Sequence, residues 1–223
     1  MITKQGTKPA FNSGFLPRQR GMGATIVLFT IALIVLVGAA LAYASRDNPS
    51  ALTTQGAKLY AGVLLKQSAD YRDAYSRFIF DGKSAASMTF HAATPTANDL
   101  FYPPAQYGSY QSPPPQATTN DVAPVTVAWQ YHPAVAVTDI GTSAAESIAF
   151  VGDLTLATCQ QINTQLYGSS TVPVAGIAMG ALLVPGSPTA IDYPATAALN
   201  GRASGCFATT DTKYVFFSTL GEA

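Results

Sequence analysis

The order of apolar and polar positions divides the chain into four stretches of different texture. Residues 1–21 are polar and basic, 22–45 are apolar with no charged side chain, and 46–82 mix apolar and charged positions at helical spacing. From residue 83 onward, short apolar runs alternate with turn-forming residues. About twenty apolar residues cross a bilayer core as a helix, so 22–45 predicts a transmembrane helix. It is longer than the apolar region of a secretory signal, roughly 7–15 residues, although Ala42-Tyr43-Ala44 resembles a signal cleavage site and keeps that alternative open.

Beyond it, "ALTTQGAKLYAGVLLKQSADYRDAYSRFIF" (51–80) predicts an amphipathic helix. Leu59, Val63, Tyr71, Tyr75, Phe78 and Ile79 recur at helical spacing with Lys58, Lys66, Asp70, Asp73 and Arg77 between them. Lys66 with Asp70, and Asp73 with Arg77, are spaced to pair along the helix. Asp81-Gly82 marks its end. Pro49 sits either in the first turn of a second helix or at a kink in one long helix.

The rest, 83–223, reads as a globular head. Residues 92–124 hold seven prolines and predict a long exposed loop, in which Phe101, Tyr102, Tyr107 and Tyr110 serve packing or a contact surface. "PVTVAWQYHP" (124–133) alternates like a strand, with Val125, Val127 and Trp129 on one face and Pro133 as its stop. "FVGDLTLATCQQINTQLYGSS" (150–170) predicts a second helix with Asp153 as N-cap and Gly168 as its end. Residues 172–186 are too short for a bilayer span and read as one or two buried strands or loop. A polar turn at 209–212 leads into a terminal strand over 213–219. The fold class expected is α+β: a long N-terminal helix packed on a small antiparallel sheet with a second helix.

Charge narrows the function. Only 11% of the residues are charged, against about a quarter in an average soluble domain. Of the twelve Lys and Arg, four (Lys4, Lys8, Arg18, Arg20) precede the apolar run, which leaves eight after it, with all twelve acids. That asymmetry places the N-terminus in the cytoplasm and the head across the membrane. Between Ser84 and Gly201 there is no Lys or Arg but there are six acids, so the head has no surface for nucleic acid. Cys159 and Cys206 form no metal motif with His91 or His132; in an oxidising compartment a disulfide between them is the natural outcome. Nothing matches a nucleophile elbow, a phosphate-binding loop, a zinc-protease helix or a calcium loop. The sequence therefore predicts no enzyme, no cofactor and no metal, and His132 reads as a satisfied or solvated side chain.

Together, "LPRQRG" (16–21), "MGATIVLFTIALIVLVGAALAYASR" (22–46), the amphipathic stretch, "LATCQQINTQLYG" and "GCFATTDTKYVFFSTL" resemble a type IV pilin, with a tail similar to the type IVb branch. The resemblance implies a leader cut after Gly21 to give a chain starting at Met22, or after Gly23 to start at Ala24, by a membrane-embedded prepilin peptidase, with methylation of the new amine. It further implies a subunit held in a bacterial inner membrane and then assembled with copies of itself or other pilins into an extracellular filament. In that filament 22–45 is the core helix and the head serves adhesion or subunit contacts. One position departs from the pattern: pilins carry glutamate at the fifth mature position, where this chain has Ile26 or Leu28. The other reading is an uncleaved single-pass envelope protein with an outer binding or scaffolding domain.

Overall fold

The computed structural model describes residues 49–105, 107–119, 128–137, 139–140, 145–184, 189–192 and 199–222. The leader and the apolar stretch 22–45 lie outside the described residues. No described helix is long and apolar enough to cross a membrane.

Helix α1 (Pro49–Phe80) leads the head. Its buried positions, Ala57, Ala61, Leu64, Gln67, Ser68, Tyr71, Ala74, Tyr75 and Phe78, recur at helical spacing and give one largely apolar stripe, as the sequence predicts. Leu59 and Ile79 do not belong to it and are exposed. Two residues is roughly 200° of helix, so Leu59 faces away from both Ala57 and Ala61. The helix closes in a Schellman arrangement: Lys83 N–H donates to the Phe78 carbonyl at 3.3 Å and Gly82 N–H to that of Ile79 at 2.9 Å. Gly82 takes the left-handed φ of 76° that this cap requires.

Five strands follow: β1 (Gln130–Val137), β2 (Glu146–Leu154), β3 (Thr189–Ile191), β4 (Ser204–Ala208) and β5 (Tyr214–Glu222). They form one sheet in the order β3-β1-β2-β5-β4. The expected antiparallel sheet is corrected at one edge, where β3 runs parallel to β1 over Val135–Val137. A parallel partner became available because β3 is reached from β2 through the helices at 156–167 and 179–182 rather than by a hairpin. Helices α2 (Leu156–Tyr167) and α3 (Met179–Leu182) complete the fold.

The stretch 150–170 is corrected in its first half. Residues 150–154 belong to β2, and the helix starts after Thr155, whose side chain accepts the Thr158 N–H as the N-cap. All nine residues of β2 are buried. Ala149 and Val151 pack toward α1, and Ile148 and Phe150 pack on the opposite face. A strand buried on both sides loses the alternation that would betray it. Asp153, expected as the cap, instead ion-pairs with Lys213 at 3.1 Å. Gly168 ends the helix as expected.

Pro133 does not stop β1 but lies inside it, where the register with β2 slips between His132 and Val135. A bulge is where a strand tolerates a residue without N–H, and β3 does not reach this half of β1. Trp129 is buried as expected; Val125 and Val127 lie outside the described residues. Residues 172–184 are loop with an isolated bridge at Val174 and the short α3, not strands, while 185 and 186 lie outside the described residues.

Candidate functional site

Two features organise the head around α1: a staple at the last strands and a polar clasp along the helix. The staple is the Cys159–Cys206 disulfide, with Cα atoms 5.3 Å apart. It joins α2 to β4, the strand before the last, and not to β5 itself. Four residues on from Cys159, Asn163 points at the same strand. Its side-chain oxygen accepts the Cys206 N–H at 2.8 Å, and its NH2 donates to the carbonyls of Cys206 and Thr171, each at 2.8 Å. Asn163 thus acts as one residue of a missing neighbouring strand. β4 is an edge strand, and an open edge invites pairing with other chains. Here the edge is occupied twice, by Asn163 and by 173–175, where Ala208 N–H donates to the Pro173 carbonyl and Ala175 N–H to that of Ala208.

The clasp fixes α1 on the sheet. Tyr75 donates to Ser147 Oγ at 3.2 Å, and Ser147 donates to the Pro133 carbonyl at 3.0 Å. Tyr131 donates to the Ala85 carbonyl at 2.9 Å. Lower on the helix, the buried Gln67 accepts from Trp129 Nε1 at 2.9 Å and donates to the Ser112 carbonyl at 3.0 Å. Tyr71 donates to the Gln111 carbonyl at 2.7 Å. Arg72 crosses to β5, donating to Ser218 Oγ at 3.0 Å and the Thr219 carbonyl at 3.1 Å. Burial pushes the Tyr131 phenol up to about 12 and raises that of Tyr71 further still, so both remain neutral donors at physiological pH.

The loop aromatics resolve in favour of packing. Tyr71 lies edge-on to Phe90, Phe101 and Trp129 at 5.2–5.5 Å, geometry that aromatic pairs prefer. The fully buried Asp99 holds the loop by accepting from Thr89 Oγ1, Ala92 N–H and Phe101 N–H.

The outward face of α1 is free within the described head. It carries Leu59, Lys66, Asp73 and Phe80 seven residues apart, with Gly62, Ala69 and Ser76 beside them. Phe80 is 90% exposed and Leu59 65%. Lys66 and Asp70 pair at 2.7 Å. Near the start of the helix, Gly56, Ala57 and Tyr60 border a largely apolar groove of about 430 Å³ closed by Ala157 and Thr158 of α2.

Of the residues singled out in the sequence, Cys159 and Cys206 are joined, while Gly21, Met22, Gly23 and Ala24 lie outside the described residues. Sequence reasoning missed Asn163, Gln67 and Asp99, whose roles depend on partners 8 to 62 positions away or on a loop turning back on itself. Among the described residues no cluster of His, Cys, Asp and Glu is grouped to hold a metal ion. The chain matches no family model, no curated protein and no solved structure.

Proposed function

We propose that the protein is a structural subunit of a type IV pilus, similar to the type IVb branch, released from an inner membrane by prepilin peptidase. One observation carries this reading. A 32-residue helix, following the charge-free stretch 22–45, buries one stripe in an α+β head closed near its C-terminus by the disulfide. An ordinary membrane anchor has no use for such a rod. The order of first cysteine on a helix, second cysteine and final strand also supports it.

The role is physical rather than catalytic. The apolar stretch waits in lipid and is later extracted into a bundle of rods, where Gly38, Ala39, Ala40 and Ala42 allow close approach. Leu59 and Phe80, exposed on the outer face of α1, extend the surface available to neighbouring subunits. The head faces outward for adhesion or subunit contacts.

A second reading is favoured by the apolar residue at the fifth mature position. Pilin glutamate pairs there with the amine of a neighbouring subunit, and Ile26 or Leu28 offers no such charge. That supports either a subunit at a filament end or an uncleaved single-pass envelope protein. Mass spectrometry of the N-terminus of the protein recovered from its native membrane separates them. A chain beginning at Met22 or Ala24 with a methylated amine is the expected result. An intact Met1 would overturn the pilin reading, as would a start just after Ala44.

A further inference from the structure

Between α1 and the loop that follows it lies a cleft of about 670 Å³, within the range of about 300–1,000 Å³ usual for small-molecule sites. Arg77 lines it from the helix, and His91, Phe101, Tyr107, Ser109 and Tyr110 line it from the loop. The guanidinium of Arg77 makes no ion pair or hydrogen bond with another described residue, and its N–H groups form a planar fork of donors. The opposite wall is flat and rigid. His91, exposed and with a left-handed φ of 56°, lies on Tyr110 with ring centroids 3.8 Å apart and planes within 2°. Tyr110 is fixed from behind, its hydroxyl accepting the Trp129 N–H at 3.2 Å and its ring stacked on Tyr71. Asp99 holds the chain next to His91, accepting from the Ala92 N–H after it and from the Thr89 hydroxyl before it. An adjoining recess of about 290 Å³ shares Arg77, Tyr107 and Ser109 and adds Asp70, Asp73 and Gln111. Lys66 engages one oxygen of Asp70 at 2.7 Å, and Asp73 and the Gln111 side chain add further acceptors.

We propose that this cleft binds an acidic sugar, a pyranose bearing one carboxylate. The carboxylate takes the Arg77 fork, the C–H face of the ring lies along the His91–Tyr110 stack, and the hydroxyls reach Asp73 and Gln111 in the recess. Each part excludes a competitor. One guanidinium matches a single negative charge, and no other Lys or Arg lines either recess, so phosphodiester chains find too little charge. A neutral sugar would cover Arg77 without pairing it. An aromatic acid would satisfy the rings and Arg77 but leave the acceptors facing no donor.

The proposal needs only the folded head, so it stands apart from the filament reading. The test uses the full chain in a detergent without a sugar head group, titrated with D-glucuronate, D-glucose and benzoate by calorimetry or ligand-observed NMR. Saturable binding of glucuronate is expected, at least about tenfold tighter than of glucose or benzoate, with Arg77→Gln bringing glucuronate down to the glucose level. His91→Ala is expected to weaken both sugars. Arg77 is exposed, so an unchanged unfolding midpoint shows that Arg77→Gln is folded. Absence of saturable glucuronate binding, equal binding by wild type and folded Arg77→Gln, or benzoate binding as tightly as glucuronate would each overturn the proposal. None of these results bears on the N-terminus recovered from the membrane, so the two readings fail separately.

Discussion

The two faces of the sheet are built from different chemistry. On the face toward α1, Ala149, Val151 and Phe216 are interspersed with Ser147 and Ser218, and each of those hydroxyls meets a polar group on the helix. On the other face, Ile148, Phe150, Phe207, Val215 and Phe217 pack under Met179, Leu182 and Leu199. Apolar contact is non-directional and tolerates sliding, whereas a hydrogen bond fixes position. The dry face therefore supplies cohesion and the helix face supplies register.

If cohesion sits on the dry face, removing an aromatic there should cost most. Phe217 is fully buried beside Phe207, with ring centroids 5.9 Å apart. Phe217→Ala is expected to lower unfolding stability by about 3–5 kcal/mol, measured as a fall in the urea midpoint at constant slope. A loss below about 1 kcal/mol would mean that the face is not packed as described. Next comes the staple on the helix side. Replacing both Cys159 and Cys206 by Ser opens a loop of 47 positions, and the chain-entropy account gives a loss of about 3–4 kcal/mol. Limited proteolysis should then cut first at the edge around β4. An unchanged midpoint would leave Asn163 and 173–175 as sufficient cover for that edge.

The same contrast explains what the sequence disclosed. Helix α1 was legible because one side faces solvent, so Tyr71, Tyr75 and Phe78 stand out against Lys66, Asp73 and Arg77. The stop at Gly82, the stop at Gly168 and the terminal strand were legible for similar local reasons. Strand β2 was not, because burial on both faces leaves "IAFVG" an apolar run without alternation, and "GDLT" then mimics a helix start. Nor was the clasp. Gln67 is one polar residue among many on an amphipathic helix, and only the arrival of Trp129 from 62 positions away distinguishes it. The cleft at Arg77 was equally hidden, since His91 and Tyr110 meet only after the loop folds.

Register on the helix face can be tested with Gln67. Gln67→Leu preserves much of the volume but leaves the Trp129 indole N–H and the Ser112 carbonyl without their partner. A loss of about 1–3 kcal/mol is expected, the usual penalty for stranding buried polar groups. Adding Trp129→Phe removes one stranded group, so the double variant should lose less than the sum of the two single changes. Strict additivity, read from the four urea midpoints, would mean that the bond contributes no coupling and that register is set elsewhere.

The smallest effect comes from a buried polar residue on the dry face that lacks a full set of partners among the described residues. His132 pairs in register with Ile148 and is fully buried. Its Nδ1 accepts the Ala134 N–H at 3.2 Å, while Nε2 meets no hydrogen-bond partner among the described residues. Burial holds its pKa below the ordinary 6.5, and the nearby Val184 carbonyl offsets this only in part. As pH falls through 6.5 the unfolded chain takes up the proton before the folded one does. Stability is therefore complete above 6.5 and declines below it, toward the lowered folded value. His132→Phe keeps a ring in the site and removes the titration. Between pH 7 and pH 5 the wild type should lose more stability than this variant, since all other titrating groups are common to both. Equal losses would mean that the imidazole reaches water or an acceptor when charged, and the dry face would then be less dry than its packing implies.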